Sequence, residues 1–192
     1  ALCDEMLQRD PDYYRAANSL ALVYAKQGTL LHSRWEALTQ DPPARFGGKE
    51  REAFVAAGLD EFGHSAPQRL AAVRDAKWDK AEELLQQSLQ LRPRSAEVHT
   101  NLGSLEYAKG NLRTAEHYYA RAVLLDPVFA NARFGLGMAL ERQGRFAEAA
   151  GQYTVALQLD PAHRQAWKRL ANTYQALGQV ADAQHTRVRY EI

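Results

Sequence analysis

Six histidines, His32, His64, His99, His117, His163 and His185, are the side chains best suited to hold a metal ion, and their spacing decides against it. No two lie four apart, where one helical face would present both to zinc, and neither an HExxH stretch nor a Cys–His cluster occurs. The single cysteine, Cys3, can close neither an internal disulfide nor a thiolate cage. Carboxylates gather in "WDKAEELL", where Asp79, Glu82 and Glu83 read as the acidic start of a helix, complementing its dipole, rather than as an acid–base pair. Ser33, Ser104 and Thr173 have no base that chain spacing supplies. The glycines of "RFGLGMAL" follow no strand, so no phosphate cradle is indicated. The expectation is a chain with no catalytic residues, no metal and no other cofactor, whose function must be sought in a surface.

Balanced charge, +1 from 24 basic and 23 acidic side chains, gives no global attraction to nucleic acid or to an anionic membrane. With 46% hydrophobic and 24% charged residues among 192, the chain has the composition of a folded protein with a sizeable core. "SLALVYA" is among its longest apolar runs, far short of the roughly 18 residues that cross a bilayer. The start, "ALCDEMLQRDP", shows neither the basic region nor the long apolar core of a secretion signal. The partner expected is a protein or peptide, with no nucleic acid and no membrane insertion. The compartment is not legible.

What organises the chain is an echo at an offset of 34 residues. Ala81, Ala115, Ala149 and Ala183 form one series. Leu102, Leu136 and Leu170, followed by Gly103, Gly137 and Ala171, form a second; Gly110, Gly144 and Gly178 a third; Pro93, Pro127 and Pro161 a fourth. Apolar residues recur at helical spacing on both sides of each central Gly, so a unit is two amphipathic helices. That Gly accepts the positive φ of a helix C-cap and marks the reversal. Asp126-Pro127 and Asp160-Pro161 stop the second helix, because the residue before Pro is steered out of helical geometry. Small residues let the two helices approach closely. One pair cannot cover both its apolar faces, so pairs must stack into a continuous core.

The pattern resembles that of the tetratricopeptide-repeat family, Trp-x2-Leu-Gly-x2-Tyr, then Ala-x3-Phe, then Pro. Trp167, Leu170, Ala171 and Tyr174 match its first helix in the last unit, and Leu136, Gly137, Ala149, Tyr153 and Pro161 carry it in the unit before. The resemblance implies an all-α fold, a right-handed superhelical array of antiparallel helix pairs. It covers three units well, 96–129, 130–163 and 164–192, the last C-terminally truncated. Upstream, "YRAANSLALVYAKQGTL" repeats the first-helix pattern through Leu20, Ala21, Tyr24 and Gly28. Residues 1–43 therefore read as the tail of a second helix plus an N-terminal unit whose own second helix is "LLHSRWEALTQ". "DPPARFGGKE" breaks the rhythm, and 44–66 reads as an irregular insert holding a helix at "EREAFVAAGLDEF". Residues 67–95 read as a divergent unit, a short helix "PQRLAAVRDA" paired with 78–91. Opening on Ala1 and on a lone second-helix tail, the chain reads as a piece of a longer array.

In stacked pairs the first helices line a concave face. Polar or bulky residues on them, away from the Leu-Gly packing positions, are the candidate peptide-binding residues. They are Asn101, Ser104 and Tyr107; Asn131, Phe134, Met138, Glu141 and Arg142; and Lys168, Arg169, Asn172 and Gln175. Asn18, Leu22 and Lys26 are the upstream equivalents. The mixture suits an extended peptide, since Asn bonds a peptide backbone, Phe and Met form apolar pockets, and Lys or Arg meets a carboxylate. The family resemblance adds that some members hold a terminal carboxylate with Lys and Asn. Lys168 and Asn172 have that Lys-x3-Asn spacing and Asn101 matches another such position, but Gly135 stands where a second Asn belongs. The main reading is a non-catalytic interaction scaffold that binds an extended peptide or protein segment. Two others remain open: the repeat region of a larger enzyme, such as a protein glycosyltransferase, and a self-association module acting through the array ends.

Overall fold

The structure, a computed structural model, describes residues 11–40 and 66–191. Among these it contains eight helices and no strand: α1 (Pro11–Gln40), α2 (Ala66–Leu91), α3 (Ala96–Lys109), α4 (Leu112–Leu125), α5 (Ala130–Arg142), α6 (Phe146–Leu159), α7 (Arg164–Ala176) and α8 (Val180–Glu191). The helix expected at "EREAFVAAGLDEF" and the N-terminal helix tail lie outside the described residues. The chain divides into two compact units, Ala1–Leu84 and Leu85–Ile192.

In Leu85–Ile192 the helices form three pairs, α3–α4, α5–α6 and α7–α8, and the second helix of each of the first two pairs also packs on the first helix of the next. The 34-residue echo is the repeat of these joints. Gly110, Gly144 and Gly178 take φ of 86°, 78° and 74°, the left-handed geometry that lets the chain leave a helix and fold back. Just beyond them the amides of Asn111, Arg145 and Gln179 donate to the carbonyls of Glu106, Leu140 and Tyr174 at 2.9, 3.0 and 2.9 Å, satisfying helix-end acceptors. Asp126 and Asp160 end the second helices, and their carboxylates accept the amides of Val128 and Ala162 at 3.1 and 3.0 Å. Turn and reversal are thus written into Gly and Asp-Pro at fixed intervals.

Each of the first two pairs closes on a tyrosine ring. Tyr119 on α4 and Tyr153 on α6 are 1% and 0% exposed. A Cβ added at Gly103 would sit 2.8 Å from the Tyr119 ring, one at Gly135 2.2 Å from the same ring, and one at Gly137 2.6 Å from the Tyr153 ring. Tyr119 is therefore lodged against glycines of two successive first helices, α3 and α5. The last pair shows the converse. Ala171 occupies the place of Gly103 and Gly137, and the residue equivalent to the two tyrosines is the exposed Arg187, so no ring demands a glycine there.

Within Ala1–Leu84 two reversals that the sequence pattern predicts do not occur. α1 runs unbroken through Gly28, and α2 runs unbroken from Ala66, so neither 14–40 nor 67–91 is a turned helix pair. Gly28 is not a helix end. Its missing Cβ makes room for Trp78, whose indole Cδ1 would lie 2.3 Å from an added Cβ. Thr29 and Ser33 hydroxyls donate to the carbonyls of Ala25 and Thr29 within the continuing helix. In α2 the position 34 residues before Gly110 is Ala76, which lacks the left-handed ease of glycine, so nothing stops the helix. Asp79, Glu82 and Glu83 consequently lie in mid-helix rather than at a helix start, and Glu83 pairs with Lys80 at 2.6 Å. α1 and α2 cross antiparallel: Lys77 lies 5.0 Å over the Tyr24 ring, the His32 ring is 5.6 Å from Trp78, and Arg74 Nη1 is 3.3 Å from His32 Nδ1.

The tyrosine seats generate a paired prediction. Gly135→Ala should destabilise the fold by about 1–3 kcal/mol, because the fully buried ring has nowhere to move. Gly151→Ala, on the exposed side of α6 where an added Cβ meets nothing within 4 Å, should stabilise it by about 0.5–1 kcal/mol. Urea unfolding followed by far-UV circular dichroism reads both, and shifts of the same sign would remove this explanation of the packing.

Candidate binding groove

The first helices α3, α5 and α7 turn one side toward the second helices and leave another open. Of the residues chosen from sequence, Asn131, Arg142, Lys168, Asn172 and Gln175 are exposed, and Asn101, Tyr107, Met138, Glu141 and Arg169 are half-buried. Ser104 is at the surface but engaged, donating to the Thr100 carbonyl and accepting the Tyr119 hydroxyl, each at 3.0 Å. Gln175 accepts a bond from Arg187.

Phe134 departs from expectation. It is 8% exposed and belongs to the core, with its ring 5.7 Å from Tyr153 and 4.4 Å from His163, whose Nδ1 caps α7 by accepting the Ala166 amide. It forms part of the wall beneath the open face and offers no free apolar pocket. Met138 packs on the same core. In the Ala1–Leu84 unit Asn18 is buried as well, while Leu22 and Lys26 are exposed.

What the structure brings together is a cluster that the sequence pattern did not announce. The Glu141 carboxylate accepts a short hydrogen bond from the Tyr153 hydroxyl and another from Arg169 Nη1 at 3.0 Å. Consecutive first helices, α5 and α7, are thereby linked over the second helix between them. Thirty-four residues earlier the same three positions are Tyr107, Tyr119 and Gly135. There the Tyr119 hydroxyl turns to Ser104, and Tyr107 carries the Arg142 guanidinium 5.3 Å over its ring. Gly135 is where the Tyr119 ring rests, so the Asn that a longer ladder of groove amides would need has no room for its Cβ. The tyrosine hydroxyls were legible in one respect: both residues are Tyr where the family pattern has Phe.

Burial dominates the chemistry of these phenols. It pushes the Tyr119 hydroxyl up to about 12, against a smaller opposing effect of the Ser104 bond. Tyr153 is raised further, by burial first and then by the Glu141 carboxylate it donates to. At Arg169 burial is the largest single effect and lowers the pKa, but Glu141, Tyr153 and Tyr107 together outweigh it, so the guanidinium is raised above its ordinary value.

A different device joins α4 to α5. Glu116 receives Gln143 Nε2 at 2.8 Å and Arg145 Nη1 at 2.7 Å, and Arg145 also grips Glu148. At the next joint the positions of Glu116, Gln143 and Arg145 are Ala150, Leu177 and Gln179, and a pocket of about 460 Å³ opens there instead. Among the described residues no three His, Cys, Asp or Glu side chains converge as a metal site requires, and no described helix is long and apolar enough to cross a membrane.

The tetratricopeptide-repeat family model matches residues 70–113 and 100–164. The chain belongs to the tetratricopeptide-repeat family. Among curated proteins no match to the sequence is found. Among solved structures, MamA (AMB-1) is similar with a TM-score of 0.54 and 25% identity, over 93% of this chain and 88% of that one. The first tetratricopeptide-repeat domain of Spaghetti (RPAP3), bound to the HSP90 peptide SRMEEVD, has a TM-score of 0.52 and 25% identity over 55% of this chain and 83% of that one. The tetratricopeptide-repeat domain of Arabidopsis OM64 has a TM-score of 0.50 and 25% identity, over 55% and 87%. Paired helices stacked through repeated joints are the fold of a protein-interaction scaffold.

The raised tyrosine gives a pH prediction with a definite sign. An unfolded chain releases the Tyr119 proton near 10, whereas the folded chain keeps it to about 12. Folding therefore binds a proton across that window, so stability is fully present below pH 10 and falls as pH rises toward 12. Tyr119→Phe should remove that share of the alkaline loss while lowering stability at neutral pH by about 1 kcal/mol through the lost Ser104 bond. Denaturant titrations at pH 7 to 11.5, roughly spanning the window, read both; an unchanged alkaline slope in the variant would overturn the assignment.

Proposed function

We propose that the open face of α3, α5 and α7 binds an extended segment of a partner polypeptide and does so without chemistry on it. The observation that carries this reading is the row of exposed polar side chains on a rigid floor. Lys168, Asn172 and Gln175 recur at intervals of four and three along α7, hence on one side of the helix, and Asn131 and Arg142 stand at the two ends of α5. Beneath them the Tyr119 and Tyr153 rings and Phe134 are buried, so the floor does not have to rearrange when a ligand arrives. Amides such as Asn131 and Asn172 can pair with a strand-like backbone, which offers a donor and an acceptor at every residue. Arg142 and Lys168 favour negative charge on the segment. That a similar repeat domain, of Spaghetti (RPAP3), is bound to a peptide supports the reading.

Site-specific cross-linking tests it. A photoreactive phenylalanine analogue placed at Asn131 or Lys168 should give a discrete adduct with a partner from cell extract, competed away by an excess of the unlabelled protein. The same analogue at Arg121 or Gln158, exposed on the second helices, should give none. Equal adducts from the two sets of positions would sink the groove.

A further inference from the structure

The charges of the groove are unequal and one of them is already answered from within. The acids of α3, α5 and α7 are Glu97, Glu106 and Glu141. Glu97 lies in the first turn of α3, and Glu106 is buried, tied to Asn111 at 2.9 Å and to Lys109 at 3.8 Å. Glu141 is thus the remaining acid of these helices, and of the cations Arg142, Lys168 and Arg169 it is Arg169 that it meets. Neither Arg142 nor Lys168 meets a carboxylate among the described residues; Arg142 rests on the Tyr107 ring. Arg169 alone of the three has an acidic partner, and that partner is Glu141.

We propose that Glu141 is an internal occupant of the groove's cationic site, and that the segment bound there is acidic, one of its side-chain carboxylates displacing Glu141 from Arg169. This rests on the peptide-groove reading and specifies its partner. The exchange is physically accessible because the pair is partly open to water, with the Arg169 and Glu141 side chains 35% and 21% exposed, so it is screened rather than locked. One carboxylate replaces another on the same guanidinium, and the Arg169 charge is never left bare. Tyr153 and Arg169 donate to the same Glu141 oxygen, so the exchange turns Arg169 toward the incoming carboxylate while Glu141 stays on the Tyr153 hydroxyl. A neutral or basic segment has nothing to offer Arg169 and leaves the internal pair closed, so the site discriminates by competition as well as by attraction. Arg142 and Lys168, without acidic partners, supply the first attraction, and the masked Arg169 the second contact. A segment with several carboxylates therefore engages more fully than one with a single carboxylate.

The test uses a fluorescein-labelled peptide of alternating Glu and Ser, blocked at both ends so that no terminal carboxylate contributes, and its Gln-for-Glu counterpart. Fluorescence anisotropy on the full chain should show the acidic peptide binding more tightly than the neutral one. Glu141→Gln should tighten the acidic peptide roughly fivefold and leave the neutral one unchanged. Arg169→Gln should weaken the acidic peptide and cancel the gain when combined with Glu141→Gln. Circular dichroism confirms folding; should Glu141→Gln unfold, Tyr153→Phe, which loosens Glu141 without removing the ion pair, must show the same tightening. Unchanged or weaker binding of the acidic peptide to the folded variant overturns the proposal, as does an equal gain for the neutral peptide. So does failure of the acidic peptide to bind either protein. The groove itself is judged separately, by cross-linking from Asn131 and Lys168.

Discussion

A tyrosine ring pressed against glycine backbone governs how the helices of Leu85–Ile192 sit. The ring of Tyr119 fills the space that side chains at Gly103 and Gly135 would otherwise claim, so one aromatic group sets the approach of α4 to both α3 and α5. The contact works because interiors are close-packed: a methyl group too many on either glycine has no void to enter. It also points the phenol outward. The apolar body of the ring is consumed in packing, and its hydroxyl emerges at the polar layer beneath the open face, where Ser104 takes one phenol and Glu141 the other. Fold and groove are therefore joined at the same two residues.

From that joint the differences between units follow. Where the ring rests on the backbone of the next first helix, as Tyr119 does, the facing residue must be small, and Gly135 obeys. Where Tyr153 meets the following first helix the facing residue is Arg169, which reaches past the ring to Glu141. A groove built from copies of one unit thus presents a bare aromatic–cation contact at one joint and a carboxylate–guanidinium pair at the next. The repeat holds its small, apolar and turn positions constant because packing demands it, and varies the groove positions because packing does not.

Much of this was legible in the residues themselves. Gly110, Gly144 and Gly178 at one period, with Asp-Pro between them, encode local events, and local events can be read from a chain one turn at a time. Gly28 shows the limit. As a residue type it is the same signal, yet its role is to admit Trp78, a residue fifty positions away. The missing reversal in α2 was in principle visible, since Ala76 stands where the turn glycine belongs. Phe134 was misplaced because helical spacing gives a face only to within a residue, and one residue separates open groove from core. Glu141 and Arg169, twenty-eight positions apart, meet only through the stacking of two pairs over Tyr153. No pattern within a single unit contains that information.

The two polar linkages also differ in what they can do. Glu116 sits at the α4–α5 joint, held by Gln143 and Arg145 together, and its carboxylate is filled by donors from within the fold. It serves as a strap between neighbours. Glu141 has one cationic partner and one phenol; it precedes exposed Arg142 on α5, and its partner Arg169 follows exposed Lys168 on α7. A single carboxylate that neutralises one of the three cations Arg142, Lys168 and Arg169 lowers the electrostatic potential of the open face without abolishing it. An incoming acid then competes with Glu141 at close range while being drawn in by the remaining cations. The same ion pair that steadies the stack in the absence of a partner is, by its geometry, the contact that a partner of like chemistry would take over.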